Sequence, residues 1–516
     1  MKPVSAYPFK KLIARLIQAS LPLNNNENHM KKIYITLAFA GLLLSSCKKQ
    51  LEEKPYSVLT TTNFYQNATD AQVAITGVLS QLQPQTYYQR TIYIMTELSG
   101  DCLVPLLTQN QERIDMYKLT YTASNIEITN WWQQSYKLIS RANDVIANVP
   151  GINMDVTARN NIVGNAMFLR GMAYFDLVRS FGDVPLLTKP VTSTTDPNLK
   201  PSRAASSEVY NQVISDLKFA EANCLTEDKI TSANKGMVSS GAASALLARV
   251  YLQRASTTFA DANDNQNALT ECNKVIAAGT YKLMTNYADV FNWDLKYFPA
   301  QTENIFSVQF GTNNTSTTQN ITIRMFTPLA LGGSGSFVAN PYFFQNGYFG
   351  PDVRKTWNLS NTVPKTGGGV TTVVPYITKY RDPQWVSGSN NSRMNWIVIR
   401  YADVLLMQSE AMNNINPNDP NKFNGLNTVR DRAGMSAFHL SMANTAPTDF
   451  VDTLLKDRAR ELCVEGHRRW DLLRLGRFKQ IEKTVNNFTA QDNQLLLPLP
   501  QTELDANSNL KQNPGY

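Results

Sequence analysis

Residues 161–181 read Asn161-Ile-Val-Gly-Asn-Ala-Met-Phe-Leu-Arg-Gly-Met-Ala-Tyr-Phe-Asp-Leu-Val-Arg-Ser-Phe181. Ile162, Ala166, Leu169, Ala173 and Leu177 fall on one helical stripe, and Phe168, Met172 and Phe175 on a second. A helix apolar on two faces packs between neighbours rather than on a surface. Gly182 and Pro185 supply the stop signals. The same period extends outward in both directions. Residues 69–82 space Ala71, Ala74, Ile75, Val78 and Leu82 as one helical face. Residues 127–149 do so with Ile128, Trp131, Trp132, Tyr136, Ile139, Val145 and Ile146, so the adjacent indoles are expected in the core. Residues 241–254 interleave Ala242, Ala243, Ala245 and Ala248 with Leu246, Leu247 and Val250, and such small residues let helices approach closely. Residues 267–278 and 400–414 are further helices, and 450–475 is a last helical region interrupted at Gly466. Helices in succession predict an α-helical repeat scaffold, although no clean repeat consensus is present.

The texture changes between 287 and 396. Ile305 to Phe310 alternates like a strand. Polar and glycine-rich stretches follow at 311–320, 332–336, 367–369 and 387–392. Trp293, Tyr297, Phe298, Tyr342, Phe343, Phe344, Tyr348, Phe349, Trp357, Tyr376, Tyr380 and Trp385 are interleaved with them. Long loops carrying many rings on a rigid scaffold are expected where binding happens. Half or more of these rings are expected to fill gaps beneath the loops.

The chain has 516 residues with 43% hydrophobic and 17% charged residues, ample for a large core and too apolar for a disordered tail. Of the net +8, +5 lies in residues 1–46, so the remainder carries no strongly basic face for nucleic acid. The five cysteines, Cys47, Cys102, Cys224, Cys272 and Cys463, form no paired zinc or redox motif, and three scattered histidines make no metal centre. No metal or cofactor is expected.

The N-terminal region is an address. Met30-Lys31-Lys32 opens a basic segment, Ile33 to Leu44 is largely apolar, and Leu44-Ser45-Ser46-Cys47 follows. The apolar run is too short to span a bilayer, which takes ~20 residues, so it is expected to be a secretory signal. The small residues before Cys47 match the lipobox of bacterial lipoproteins, in which the cysteine becomes the lipidated first residue. Residues 1–29 are expected to precede the true start, and 30–46 to be the signal peptide.

The densest charge cluster is 456–477. Glu461 and Glu465 are spaced to share a helix face, with Arg458, Arg460, Arg468, Arg469, Asp471 and Arg474 around them. Paired acids can hydrolyse glycosides. So many arginines instead favour the ionised form of both acids, which suits a structural ion-pair network and gives no general acid. No nucleophile elbow, zinc-protease helix motif or phosphate loop is present.

Several segments then resemble the SusD/RagB family of nutrient-binding lipoproteins. Phe168 to Phe175, continuing to Phe181-Gly182-Asp183-Val184-Pro185-Leu186, is similar to its FLRA…YF..LV..FGDVPL helix. Ala245 to Leu252 resembles ALLARVYL, and Arg400-Tyr401-Ala402-Asp403-Val404-Leu405-Leu406-Met407 with Asn427 to Gly434 resembles RYADVLLMYAEA…N.VR.RAG. Arg458 to Leu472 resembles R..EL..EG.R..DL, and Leu497 to Tyr516 resembles LPIP..E…QNPGY. Gln408-Ser409 stands where the family often has Tyr-Ala. The resemblance implies a mainly α fold, a tetratricopeptide-like scaffold of helical pairs (an α-α superhelix) with an irregular, loop-rich insert holding a few short strands. It divides the mature chain into an N-terminal helical region, 47–286, and a C-terminal region, 287–516, with the insert at 287–396. It implies lipid anchoring at Cys47 to the outer membrane, facing the cell surface. It also implies a SusC-type TonB-dependent transporter as partner and capture of a glycan without catalysis. The alternatives are a peptide-capturing lid of a peptide importer and, less favoured, a glycoside hydrolase. The family's ligand residues lie in variable loops, so none carries over by motif. Residue type and location at 97–125 and 287–396 select Asp101, Tyr121, Trp293, Tyr297, Trp357 and Trp385 as candidate ligand-binding residues, with no catalytic residue.

Overall fold

A computed structural model describes residues 64–108, 110–193, 195–311 and 320–516. The expected signal peptide and Cys47 lie outside the described residues, as does most of the glycine-rich stretch at 311–320. The main helices are α1 (Ala68–Ser80), α2 (Thr91–Glu97), α3 (Ile126–Asn148), α4 (Val156–Phe181), α5 (Ser206–Asn223), α6 (Ser240–Arg254), α7 (Asp264–Ala277), α8 (Tyr401–Ile415), α9 (Phe450–Leu462) and α10 (Arg468–Arg474), with others of nine residues or fewer between and after them. Every helix expected from periodicity is present. The region 450–475 divides into α9 and α10 at a turn where Val464 and Gly466 adopt φ of +59° and +89°. Helix α4 begins ahead of its apolar stripe because Asp155 caps it, its carboxylate accepting the Ala158 N–H at 2.8 Å. Helix α5 is not among the expected ones, although Val209, Val213, Leu217 and Ala220 mark its buried face. Its many polar residues dilute that stripe.

Sequence neighbours are neighbours in space. Helix α3 packs on α4, α4 on α5, α5 on α6, α6 on α7, α7 on α8, and α8 on α9. This succession of helical pairs is the mainly α, tetratricopeptide-like scaffold. Trp131 and Trp132 are core residues. Two glycines set the approach of α4 to α5. A Cβ on Gly164 would sit 3.0 Å from the Cys224 sulfur, and one on Gly171 3.3 Å from Leu217 Cγ. Between them Arg170 grips Asp216 of α5 at 2.8 and 2.7 Å and donates to Asn143 of α3 at 2.8 Å, so one buried guanidinium clamps three helices. The C-terminal tail folds back on this end of α4, where the Asn513 amide donates to the carbonyls of Phe181 and Leu497. Cys102, Cys224, Cys272 and Cys463 are buried free thiols.

The loop-rich region holds small antiparallel ribbons. Strands β1 (Leu103–Pro105), β2 (Asn304–Val308), β3 (Phe337–Ala339), β4 (Leu359–Pro364), β5 (Val370–Ile377) and β6 (Trp396–Arg400) pair as β1–β3, β2–β6 and β4–β5. The register of β2 on β6 places Asn304 opposite Arg400, and the Tyr401 N–H donates to the Glu303 carbonyl at 2.8 Å. That pairing delivers Glu303 to the Arg400 side chain. Arg400, 1% exposed, meets Glu303 at 2.7 Å, Glu461 at 2.5 Å and Glu465 at 2.7 Å. Arg354 reaches Glu461 at 3.0 Å and pairs with Asp352, Arg432 bonds Glu303 and Glu461, and Lys379 bonds Glu465. Four cations thus face four carboxylates, and the expected ion-pair network lies in the interior. Burial alone raises the Glu461 carboxyl, but Arg432, Arg400 and Arg354 outweigh it and hold it well below the usual carboxylate range. Glu465 is held low in the same way by Arg400 and Lys379. A second network joins Asp403 to Arg249 and Arg458, and Asp471 to Arg458 and Arg474. Buried His467 beside it is pushed down to about 3 by burial, and so is neutral at neutral pH.

Three outcomes follow from this packing. Gly171→Leu drives a side chain into Leu217 and lowers stability by about 1–3 kcal/mol in thermal unfolding followed by circular dichroism. Arg400→Leu removes the cation shared by three buried carboxylates and costs about 3–5 kcal/mol in the same assay. The pH profile has a maximum. Carboxyls held low, Glu461 and Glu465 among them, add stability above their unfolded pKa, and this is lost as pH falls through their lower folded values. Glu97 and Glu482 act oppositely, since burial pushes both up to about 7: their stabilising effect is complete below the unfolded pKa and fades as pH rises toward 7. The melting midpoint is therefore highest near about pH 5, falls gradually toward pH 7 and drops steeply below about pH 4.

Candidate functional site

A cleft of about 340 Å³ opens in the loop-rich region, between the segment 323–331 and the end of β5 with the turn after it. That volume is within the range of small-molecule sites. Its floor is aromatic. Phe326 and Tyr380 stack with ring centroids 6.1 Å apart and planes at 20°, and Ile323, Leu331 and Ile377 add apolar walls. Tyr376, Ser360, Thr327, Thr356 and Thr378 supply hydroxyls. Each of these donates to a backbone carbonyl, at 3.0 Å for Tyr376 to Thr362 and 2.6 Å for Thr378 to Trp357. Their oxygens therefore keep acceptor capacity for a ligand.

Arg381 stands at the edge. Its guanidinium lies 4.0 Å from the centre of the Trp357 ring, and it donates to the carbonyls of Trp357 at 2.6 Å and Thr378 at 3.0 Å. Its Nη1 meets no acceptor among the described residues. Burial lowers its pKa from the ordinary arginine value, although the group stays cationic at neutral pH. The cleft thus joins buried aromatic rings at its floor, hydroxyl acceptors and a cationic donor, with no carboxylate among its lining residues.

The wall is held by the buried network. Lys379, between the lining residues Thr378 and Tyr380, donates to the carbonyls of Glu461 at 2.9 Å and Cys463 at 3.0 Å besides its pair with Glu465. Tyr380 donates its hydroxyl to the Val464 carbonyl at 2.8 Å, and burial pushes it well above the ordinary tyrosine value. Opposite, Gly332 adopts φ +82° with its turn against Ser387, where an added Cβ would lie 1.7 Å from the serine oxygen. The loop of Trp385 is thereby brought beside Leu331, and Leu329 and Val386 on these two loops are 74% and 60% exposed.

The selected residues separate into two groups. Trp293, Trp357 and Trp385 gather around the segment 381–385. The Trp293 indole donates to the Arg381 carbonyl at 3.1 Å, Trp357 lies under its guanidinium, and the Trp385 N–H donates to the Asp382 carbonyl at 2.9 Å. Trp293 is buried, and Trp357 and Trp385 are half-buried. Tyr297 is half-buried too, next to Lys296, whose ammonium donates to the carbonyls of Phe310, Gly311 and Arg393. Asp101 and Tyr121 lie elsewhere. Asp101 is buried in a two-point pair with Arg468, 2.6 Å at each contact. Tyr121 is buried against Tyr516, with rings 6.4 Å apart and nearly parallel. Phe326 and Arg381 line the cleft but are not among the selected residues. An exposed arginine in a loop has no periodic signature, and its value here comes from the indole beneath it.

Comparison with known proteins agrees with this architecture. Residues 352–516 match the model of the SusD family, and residues 49–252 match a model described as starch-binding associating with outer membrane. SusD-like protein P2 of Formosa agariphila is 29% identical over 94% of this chain and all of its own length. The crystal structure of a SusD superfamily protein from Parabacteroides distasonis superposes with a TM-score of 0.76 at 26% identity, covering 89% of this chain and 100% of that one. A laminarin-binding SusD-like protein superposes with a TM-score of 0.71 at 24% identity over 88% of this chain and 100% of that one. With the helical pairs, the motif residues in their buried networks and matches to both halves in hand, the chain belongs to the SusD/RagB family.

Proposed function

We propose that this protein is a lipid-anchored outer-membrane binding protein that captures a glycan in the cleft at 323–381 and passes it, chemically unchanged, to a SusC-type TonB-dependent transporter. The observation that carries this is the cleft's composition: stacked Phe326 and Tyr380, a ring of hydroxyl oxygens, and Arg381 laid over Trp357. Sugars present C–H faces that pack on aromatic rings and hydroxyls that bond to such rims. A relative of the same fold is laminarin-binding by name, and one family model is described as starch-binding, which supports a glycan over a peptide. Binding without turnover is supported by the fate of the one acid pair that invites a catalytic role. Glu461 and Glu465 are 0% and 2% exposed and held ionised by arginines, so neither can supply a proton. The anchor is Cys47, following the lipobox, and acylation there attaches the chain without a spanning helix.

Two measurements test this. Affinity electrophoresis and calorimetry against a panel of neutral polysaccharides identify a binding glycan. Trp357→Ala and Arg381→Ala then each weaken it about tenfold or more, the equivalent of ~1.4 kcal/mol, with the fold intact. Silence across the panel, or unchanged affinity in both variants, contradicts the assignment. Growth with labelled palmitate places the label on the wild-type chain and not on Cys47→Ser, whereas an unlabelled wild type contradicts the anchor.

A further inference from the structure

A second cleft, about 230 Å³, lies away from the first, between helix α9, the short helix Pro341–Asn346 and the segment after α10. One face of α9 lines it through Asp452, Leu455, Lys456 and Ala459; Leu455 and Ala459 are packed into the core beneath it, and Lys456 is exposed at its rim. The charges do not balance. Asp101 is taken up by Arg468, and Asp452 by Arg477. Asp457 is shared by Arg430 and Arg460. The Arg460 guanidinium spends its Nε on the Gly347 carbonyl at 2.7 Å, while its Nη2 meets no acceptor among the described residues. Lys456 is exposed on the same face and makes no ion pair or hydrogen bond among the described residues. Lys456 thus has no acid, and Arg460, paired with Asp457 and lying 4.7 Å from the centre of the Phe349 ring, keeps one spare donor nitrogen, so the cleft holds cationic donors in excess of its acceptors. Beside them the Tyr342 ring is 50% exposed, and Gln480 and Thr484 offer amide and hydroxyl groups. A bare inorganic anion has no use for that ring or those polar groups.

We infer that this cleft is a second ligand site that takes an acidic sugar, its carboxylate or sulfate held by Lys456 and Arg460 and its ring face on Tyr342. The site goes beyond the glycan cleft at 323–381 and does not depend on it, since the two share no lining residue.

The test is calorimetry on the full mature protein at low salt. Oligogalacturonate supplies the carboxylate and a sulfated galactan oligosaccharide the sulfate. At least one of them binds the wild type, and which one identifies the anion. Lys456→Glu, on an exposed side chain that leaves the core untouched, weakens that binding tenfold or more. Tyr342→Ala weakens it several-fold, and raising sodium chloride from about 50 to 500 mM weakens it further. Trp357→Ala leaves it unchanged. Failure of both acidic probes to bind, undiminished binding in Lys456→Glu, or loss of binding in Trp357→Ala overturns the inference. Neutral glycans failing at the first cleft while an acidic one still depends on Lys456 would refute the first assignment and leave this one standing.

Discussion

Arg400 is stripped of water at the centre of the protein, and its desolvation is tolerable only because Glu303, Glu461 and Glu465 close around it. Each of those carboxylates is equally dependent on its cations: Arg432 for Glu303, Arg354 and Arg432 for Glu461, Lys379 for Glu465. Buried ions exchanged for apolar groups need not weaken a protein, but a network missing one member leaves the rest unpaired. This one joins elements distant in sequence. Glu303 arrives with β2, Arg400 with β6, Glu461 and Glu465 with α9 and the turn after it, and Arg354 and Lys379 with the loop-rich insert.

That geometry explains how an irregular region holds a defined cleft. Among its described residues the insert has only two-stranded ribbons, and such ribbons are marginal alone. Lys379 roots the wall formed by Thr378 and Tyr380 in the interior, and Arg354 roots the short helix that carries Thr356 and Trp357. Arg381 then lies across Trp357 from a fixed backbone. The cleft is preorganised by charges that do not line it.

The scaffold was legible because its residues repeat. The two stripes of 161–181 describe a helix packed on both sides and the single stripe of 127–149 a helix packed on one face, and the structure has both. Helix α5 was not legible: its stripe of Val209, Val213, Leu217 and Ala220 is diluted by polar residues, and its place is set by Arg170 reaching Asp216 from another helix. The quoted motifs turn out to carry the architecture. Arg400, Arg458, Glu461, Glu465 and Asp471 all spend their charges inward. The cleft itself was not legible. None of the six chosen residues lines it; Trp293, Trp357 and Trp385 stand behind it around the Arg381 segment, whose position depends on ribbon register and long-range contacts that no local pattern encodes. Asp101, chosen as an acid in a loop, meets Arg468 from the far end of the chain. The motifs thus speak for the fold, while the cleft proposed here is lined by side chains outside them.

Hydrogen–deuterium exchange with and without a saturating glycan tests the central claim most directly, because it locates the ligand without altering a residue. The account predicts slowed exchange at 323–331, 356–360 and 376–381, with the helices α3 to α7 unchanged. Protection confined to that helical scaffold, or no protection at the cleft under saturation, would contradict it.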